Sequence, residues 1–248
     1  MSESVSFQRF NSRYMYLQKH SQVMAVSLNR TYNMLSRNKD NGKTISDTLQ
    51  VNAETYNKLN EPVSEYARIV NYSKRESNKY CFVELYNMFA SYMKDILKEM
   101  YLLKPKSIIG NSHKEISFIK LSEFTSIDEI VDYMIDEIFR DFENERSTPK
   151  LVKRITGHTK ISVPPAITDE AMMYLLMRHL IIHNNSKVDH DYYNKYHNVL
   201  PITVGGAVPA TYINLQKALI SVKTYLRTID EELIRGGFIN DRKPPNNT

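Results

Sequence analysis

Residues 171–185 read AMMYLLMRHLIIHNN, and this run decides the fold. Met172, Met173, Leu175, Leu176, Met177, Leu180, Ile181 and Ile182 surround a 3.6-residue period on nearly every side. The helix predicted over 169–184 therefore belongs inside a bundle or at an interface. Thr168 or Asp169 is expected to cap its start, and Asn184-Asn185-Ser186 to end it. Arg178, His179 and His183 sit within this apolar run, where a polar head is costly unless it finds a partner or a solvated cleft. A conflict of that kind between local pattern and polarity marks Arg178–Asn184 as the candidate functional segment. Five residues turn a straight helix by about 140°. Arg178 and His183 thus meet only if the helix bends or ends, or if two copies cross in a twofold dimer.

Working outward, residues 5–37 read as one long helix, with Phe7, Phe10, Tyr14, Leu17, Met24, Leu28 and Leu35 stepping by threes and fours. Asp40-Asn41-Gly42 supplies a turn. The pattern from Ser46 to about Ser73 is weaker helix, broken near Pro62. Glu76 to Leu103 is strong again, with Phe82, Leu85, Phe89, Met93, Ile96 and Met100 on one face, and Lys104-Pro105 stops it. Ile116 to Leu121 is expected as a short strand or an extended connection. Ser126 and Glu129 form a capping-box pattern ahead of Ile130, Met134, Ile138 and Phe142. A short helix is expected from Ser147-Thr148-Pro149, an extended spacer at 160–166, and a last helix from about Pro209 to Arg235 ending at Gly236-Gly237.

Composition agrees with helices. The 248 residues are 42% hydrophobic with only 7 glycines, which disfavours hairpin-rich folds and glycine-rich phosphate loops. The net charge of +5, from 33 basic against 28 acidic residues, allows a nucleic-acid partner without demanding one. The single cysteine, Cys81, excludes an intrachain disulfide or a CxxC zinc site and reads as a buried thiol. No signal core or apolar stretch long enough to span a bilayer is present, so a cytoplasmic protein without membrane contact is expected. Gly205-Gly206 matches no phosphate-binding fingerprint and reads as a turn. His183, Asp189, His190 and His197 reproduce no recognised ligand spacing, so neither a metal nor a cofactor is expected. Lys150, Lys153, Arg154 and Lys160 form the best basic cluster.

Arg178-x4-His183-Asn184, followed by Val188-Asp189 and Tyr192, resembles the Rx4-6H motif of the HEPN superfamily. The likeness spans residues 76–103 and 168–235. It implies an all-α helical bundle, frequently dimeric, and in many members a metal-independent ribonuclease of toxin–antitoxin, abortive-infection or other antiviral systems. The division expected on that basis is an N-terminal helical elaboration at 1–75, a HEPN-like domain at 76–241 and a flexible tail at 242–248. The resemblance implies RNA as partner, a homodimer, and an antitoxin or defence-system protein as a further partner. Arg178, His183 and Asn184 are the catalytic candidates. His183 would exchange protons, Arg178 would hold phosphate, and Asn184 would orient the imidazole or donate to phosphate. His179, Lys150, Lys153 and Arg154 are the substrate-binding candidates. Two positions depart from the family pattern. Ala90 stands where many members carry an acid on the earlier helix, with Glu84 and Asp95 elsewhere on it, and Ser186 replaces the usual glycine after HNN.

Overall fold

The computed structural model describes residues 3–39, 42–104, 115–143, 152–153, 159 and 161–242. Among them are eight α-helices: α1 (Val5–Arg37), α2 (Ile45–Leu49), α3 (Tyr66–Leu103), α4 (Phe118–Leu121), α5 (Ile127–Glu143), α6 (Pro165–His183), α7 (His190–Tyr196) and α8 (Tyr212–Arg235). The described residues form no sheet, only isolated bridges at Thr44–Pro62 and Lys187–Ala207. The chain is all-α. No described helix is long and apolar enough to cross a membrane.

Helix α3 is the central element, packing against α1, α5, α6 and α8. Its predicted face is buried: Phe82, Leu85, Phe89, Met93, Ile96 and Met100 are all in the core, as is Cys81. The helix starts at Tyr66, ten residues before Glu76, because two single 3-10 turns (Asn57–Leu59 and Val63–Glu65) carry the chain past Pro62 and lead directly into it. Consequently α3 runs unbroken across residue 75. Phe7, Phe10, Tyr14 and Leu17 of α1 join the same cluster as α6 and α8. A smaller cluster of Leu35, Ile45, Val63 and Val70 closes the far end of α1.

The start of α1 is locked by polar groups. Ser4 caps it, its Oγ accepting from the Phe7 N–H at 2.9 Å. Asp230 of α8 in turn accepts from the Ser4 N–H at 2.9 Å and from the Ser4 hydroxyl. Tyr92 of α3 donates to the same carboxylate at 3.1 Å. Ser6 donates to Glu99 through both its N–H and its hydroxyl. Three helices are thereby tied at one buried point.

Several boundaries differ from the sequence reading. The stretch expected as a short strand or an extended connection, Ile116–Leu121, contains the helical turn α4, capped by the Ser117 hydroxyl accepting from Lys120 N–H at 3.2 Å. In α5, among the residues whose burial is described, Val131 and Ile135 are buried while Ile130 and Met134 are half-buried; the expected Ile138 and Phe142 lie outside them. Ser126 accepts from the Glu129 N–H, but the Glu129 carboxylate reaches Thr125 N–H at 2.7 Å, moving the reciprocal half of the box back by one residue. Helix α6 begins at Pro165 rather than at a Thr168 or Asp169 cap. Proline at the first helical position lacks only an N–H that would have been orphaned anyway. Helix α8 ends as expected: Gly237 adopts φ +65°, Phe238 N–H bonds Leu233 O, and Gly237 N–H bonds Ile234 O, the Schellman arrangement. The expected helix from Ser147, the turn residues Asp40 and Asn41, and the tail beyond residue 242 lie outside the described residues.

Candidate functional site

Helix α6 places the motif. Ala171, Met172, Met173, Tyr174, Leu175, Met177 and Leu180 are buried against α3 and α8, so the continuous apolar run does drive this helix into the interior. Its last turn emerges at the surface. There Arg178 is half-buried, while His183 is exposed.

The two side chains meet. Arg178 Nη1 lies 3.3 Å from His183 Nε2. The helix ends at His183, with Asn184 as C-cap at φ −123° and Asn185 and Ser186 at positive φ. The axial step of about 7.5 Å between the two positions is within the reach of a long arginine side chain. The guanidinium can only donate, so this contact uses the Nε2 lone pair and puts the ring proton on Nδ1.

Tyr86 of α3 seats the arginine from below, with Arg178 Cζ 4.9 Å from the ring centroid. This contact was not foreseen. The available signal was an aromatic residue one helical turn before Ala90. Arg178 Nε is buried and has no hydrogen-bond partner, and no carboxylate pairs with the guanidinium among the described residues. Buried donors are normally satisfied, so the unused Nε donor of Arg178 is an exception within this helix end, beside an exposed imidazole.

The acidic substitutes on α3 are committed elsewhere. Glu84 pairs with Arg13 of α1 at 2.9 Å, and Asp95 lies 3.9 Å from Arg9. Burial pushes the Asp95 carboxyl above its ordinary value, with the neighbouring cations opposing. Ala90 packs half-buried against the core.

The other candidates separate. Asn184 braces the helix end, its Nδ2 donating to Lys187 O at 2.8 Å. His179 stands ring to ring with His183, centroids 4.9 Å apart. It also lines a cavity of about 170 Å³ together with Asp189, Asp191 and Lys195. Lys153 lines a different cavity, of about 380 Å³, next to Asp169 and Lys195. Lys150 and Arg154 lie outside the described residues. No group of three or more potential metal ligands occurs among the described residues.

The segment after the motif holds the helix end in place. Asp189 caps α7, a helix not anticipated from the sequence, by accepting from the Tyr192 N–H at 2.8 Å. The Tyr192 hydroxyl then donates to Met173 O of α6 at 2.9 Å, and burial pushes its pKa above the ordinary tyrosine value. Val188 N–H bonds Gly206 O, and Val208 N–H bonds Ser186 O. Gly205, at φ +75°, makes the turn that allows this pairing. The end of α6 is thus strapped to the chain leading into α8.

No protein-family model matches the chain, and no curated protein or solved structure is detectably similar to it.

Proposed function

We propose that the chain is a HEPN-like, metal-independent endoribonuclease acting as a homodimer in antiviral defence or a toxin–antitoxin system. The observation that carries this reading is the Arg178–His183 contact at 3.3 Å, at the exposed end of a helix whose middle is buried. A phosphate arriving at this point would compete for the guanidinium and release Nε2. Arg178 then stabilises the charge growing on the non-bridging oxygens. The RNA 2′-oxygen bonds to phosphorus as its proton passes to His183, and the bond from phosphorus to the 5′-oxygen breaks. That oxygen is protonated by an imidazolium, supplied in a dimer by a second copy of the same residue. The products are a 2′,3′-cyclic phosphate and a 5′-hydroxyl. An imidazole can both take and give a proton, which suits this exchange.

The test is cleavage of RNA in EDTA. The parent is expected to cut, and His183→Ala is expected to lose cleavage while retaining its helical circular dichroism and melting cooperatively. Equal cleavage by the two proteins removes the assignment.

Ala90, together with the engagement of Glu84 and Asp95 by α1, favours a second reading. Without a carboxylate to position the guanidinium, the same Arg178–His183 pair serves a non-catalytic module for nucleotides, RNA or a partner protein. That reading expects no cleavage by any form, with saturable RNA association that Arg178→Ala weakens.

A further inference from the structure

We infer that the groove between α1 and α3, closed by Val208–Tyr212, carries a single strand of RNA away from the Arg178–His183 site. This inference rests on the ribonuclease reading and extends it to a substrate class, an unpaired strand. The groove encloses about 730 Å³ and has no aspartate or glutamate among its lining residues. Lys74 and Arg75 project from its α3 wall, with the amides of Asn29, Asn71 and Asn78 beside them. The adjacent carboxylate, Glu76, is already held by Lys79 at 2.9 Å and by Arg75 at 3.5 Å. The cations are pre-positioned by aromatic rings: Lys74 Nζ is 4.7 Å from the Tyr32 centroid, and Arg75 Cζ is 5.6 Å from that of Tyr72. Met24 and Leu28 of α1 supply apolar surface opposite, which suits base faces as the cations suit phosphates.

Two features join this groove to the motif. Arg75 and Tyr86 are eleven residues apart on α3, a rotation of about 20° and a rise of about 16 Å, with the buried Phe82 between them. Tyr86 is the ring beneath Arg178. The groove's floor, at Val208, is hydrogen-bonded to Ser186, three residues after His183. At about 3.4 Å per stacked nucleotide, that rise along α3 corresponds to about five nucleotides.

The experiment measures binding of fluorescein-labelled, unstructured RNAs of about four and about twelve nucleotides by anisotropy, in the His183→Ala background to prevent turnover. The charge reversal Lys74→Glu/Arg75→Glu is compared with Lys74→Arg/Arg75→Lys, and cleavage is measured in the His183-containing forms. The reversal is expected to weaken the longer RNA at least tenfold and leave the shorter one within about twofold. It should also reduce the salt dependence of the longer RNA by about 1.4 in log–log slope, at about 0.7 per lost phosphate contact. The conservative pair is expected to bind like the parent. If the parent cleaves and binds RNA but the reversal changes neither length, or both equally, the groove is not the strand's path while the ribonuclease reading stands. That outcome also fits a groove filled by an apolar peptide. If the parent neither binds nor cleaves RNA, both readings fall together.

Discussion

Removing the Asp230 carboxylate tests whether α1 is an integral part of the core. The side chain is 1% exposed and accepts from Ser4 N–H, Ser4 Oγ and Tyr92 Oη. Asp230→Ala strands these donors, apart from a residual 3.5 Å contact from Tyr92 to Leu226 O. Each buried, unpaired donor costs about 1–3 kcal/mol, partly offset because a buried carboxylate is itself expensive. The net loss is about 2–4 kcal/mol, or a fall in melting midpoint of about 4–16 °C for a chain of this size. Asp230→Asn keeps the shape but turns one acceptor into a donor, and should lose about 1–2 kcal/mol at neutral pH.

The pH dependence gives a sharper criterion. Burial raises the Asp230 carboxyl above its ordinary value, against the opposing hydrogen bonds from Ser4 and Tyr92. A raised carboxyl contributes most below the unfolded value, near pH 4, and its contribution is lost as pH rises through the native value. The penalty of Asp230→Asn relative to parent should therefore be largest near pH 4 and shrink toward pH 7. Asp95, which is also raised by burial, titrates in both proteins and cancels in the difference. Urea titrations of the two proteins across this range measure the effect. A penalty that grows with pH would refute the account, because it would mean that the hydrogen bonds outweigh burial and the carboxyl is depressed.

Two further outcomes bear on the motif. Ser186 adopts φ +57°, a conformation costing an L-residue about 1–2 kcal/mol. Ser186→Gly is expected to raise stability by about 0.5–1 kcal/mol, after the entropy of the freer unfolded chain is counted, and Ser186→Val to lower it. A destabilising glycine with a neutral valine in thermal melts would show that the turn is not strained. Tyr86→Leu removes the ring face beneath Arg178, a contact worth about 0.5–2 kcal/mol. It should lower kcat/KM or RNA affinity about twofold to thirtyfold, with Tyr86→Phe near parent. Indistinguishable Leu and Phe variants would remove Tyr86 from the site.

The sequence alone determined the elements whose burial is written in their own period. Residues 5–37 form one helix because Phe7, Phe10, Tyr14 and Leu17 recur at helical spacing. The 76–103 face and the Gly236-Gly237 stop were legible for the same local reasons. Legibility failed where a neighbour outside the window decides. A single 3-10 turn after Pro62 extends α3 to Tyr66, and α7 forms because Asp189 caps it and Tyr192 anchors it to α6. The site shows the same division. The types and spacing of Arg178 and His183 singled out the segment, but left open whether a helix end or a crossing of two copies brings them together. Tertiary structure decided for the helix end: α6 stops at His183, the strap through Ser186 and Val208 holds that end, and Tyr86 from α3 supports the guanidinium. Local periodicity encodes which face is apolar. Where a long side chain comes to rest depends on groups contributed by distant parts of the chain.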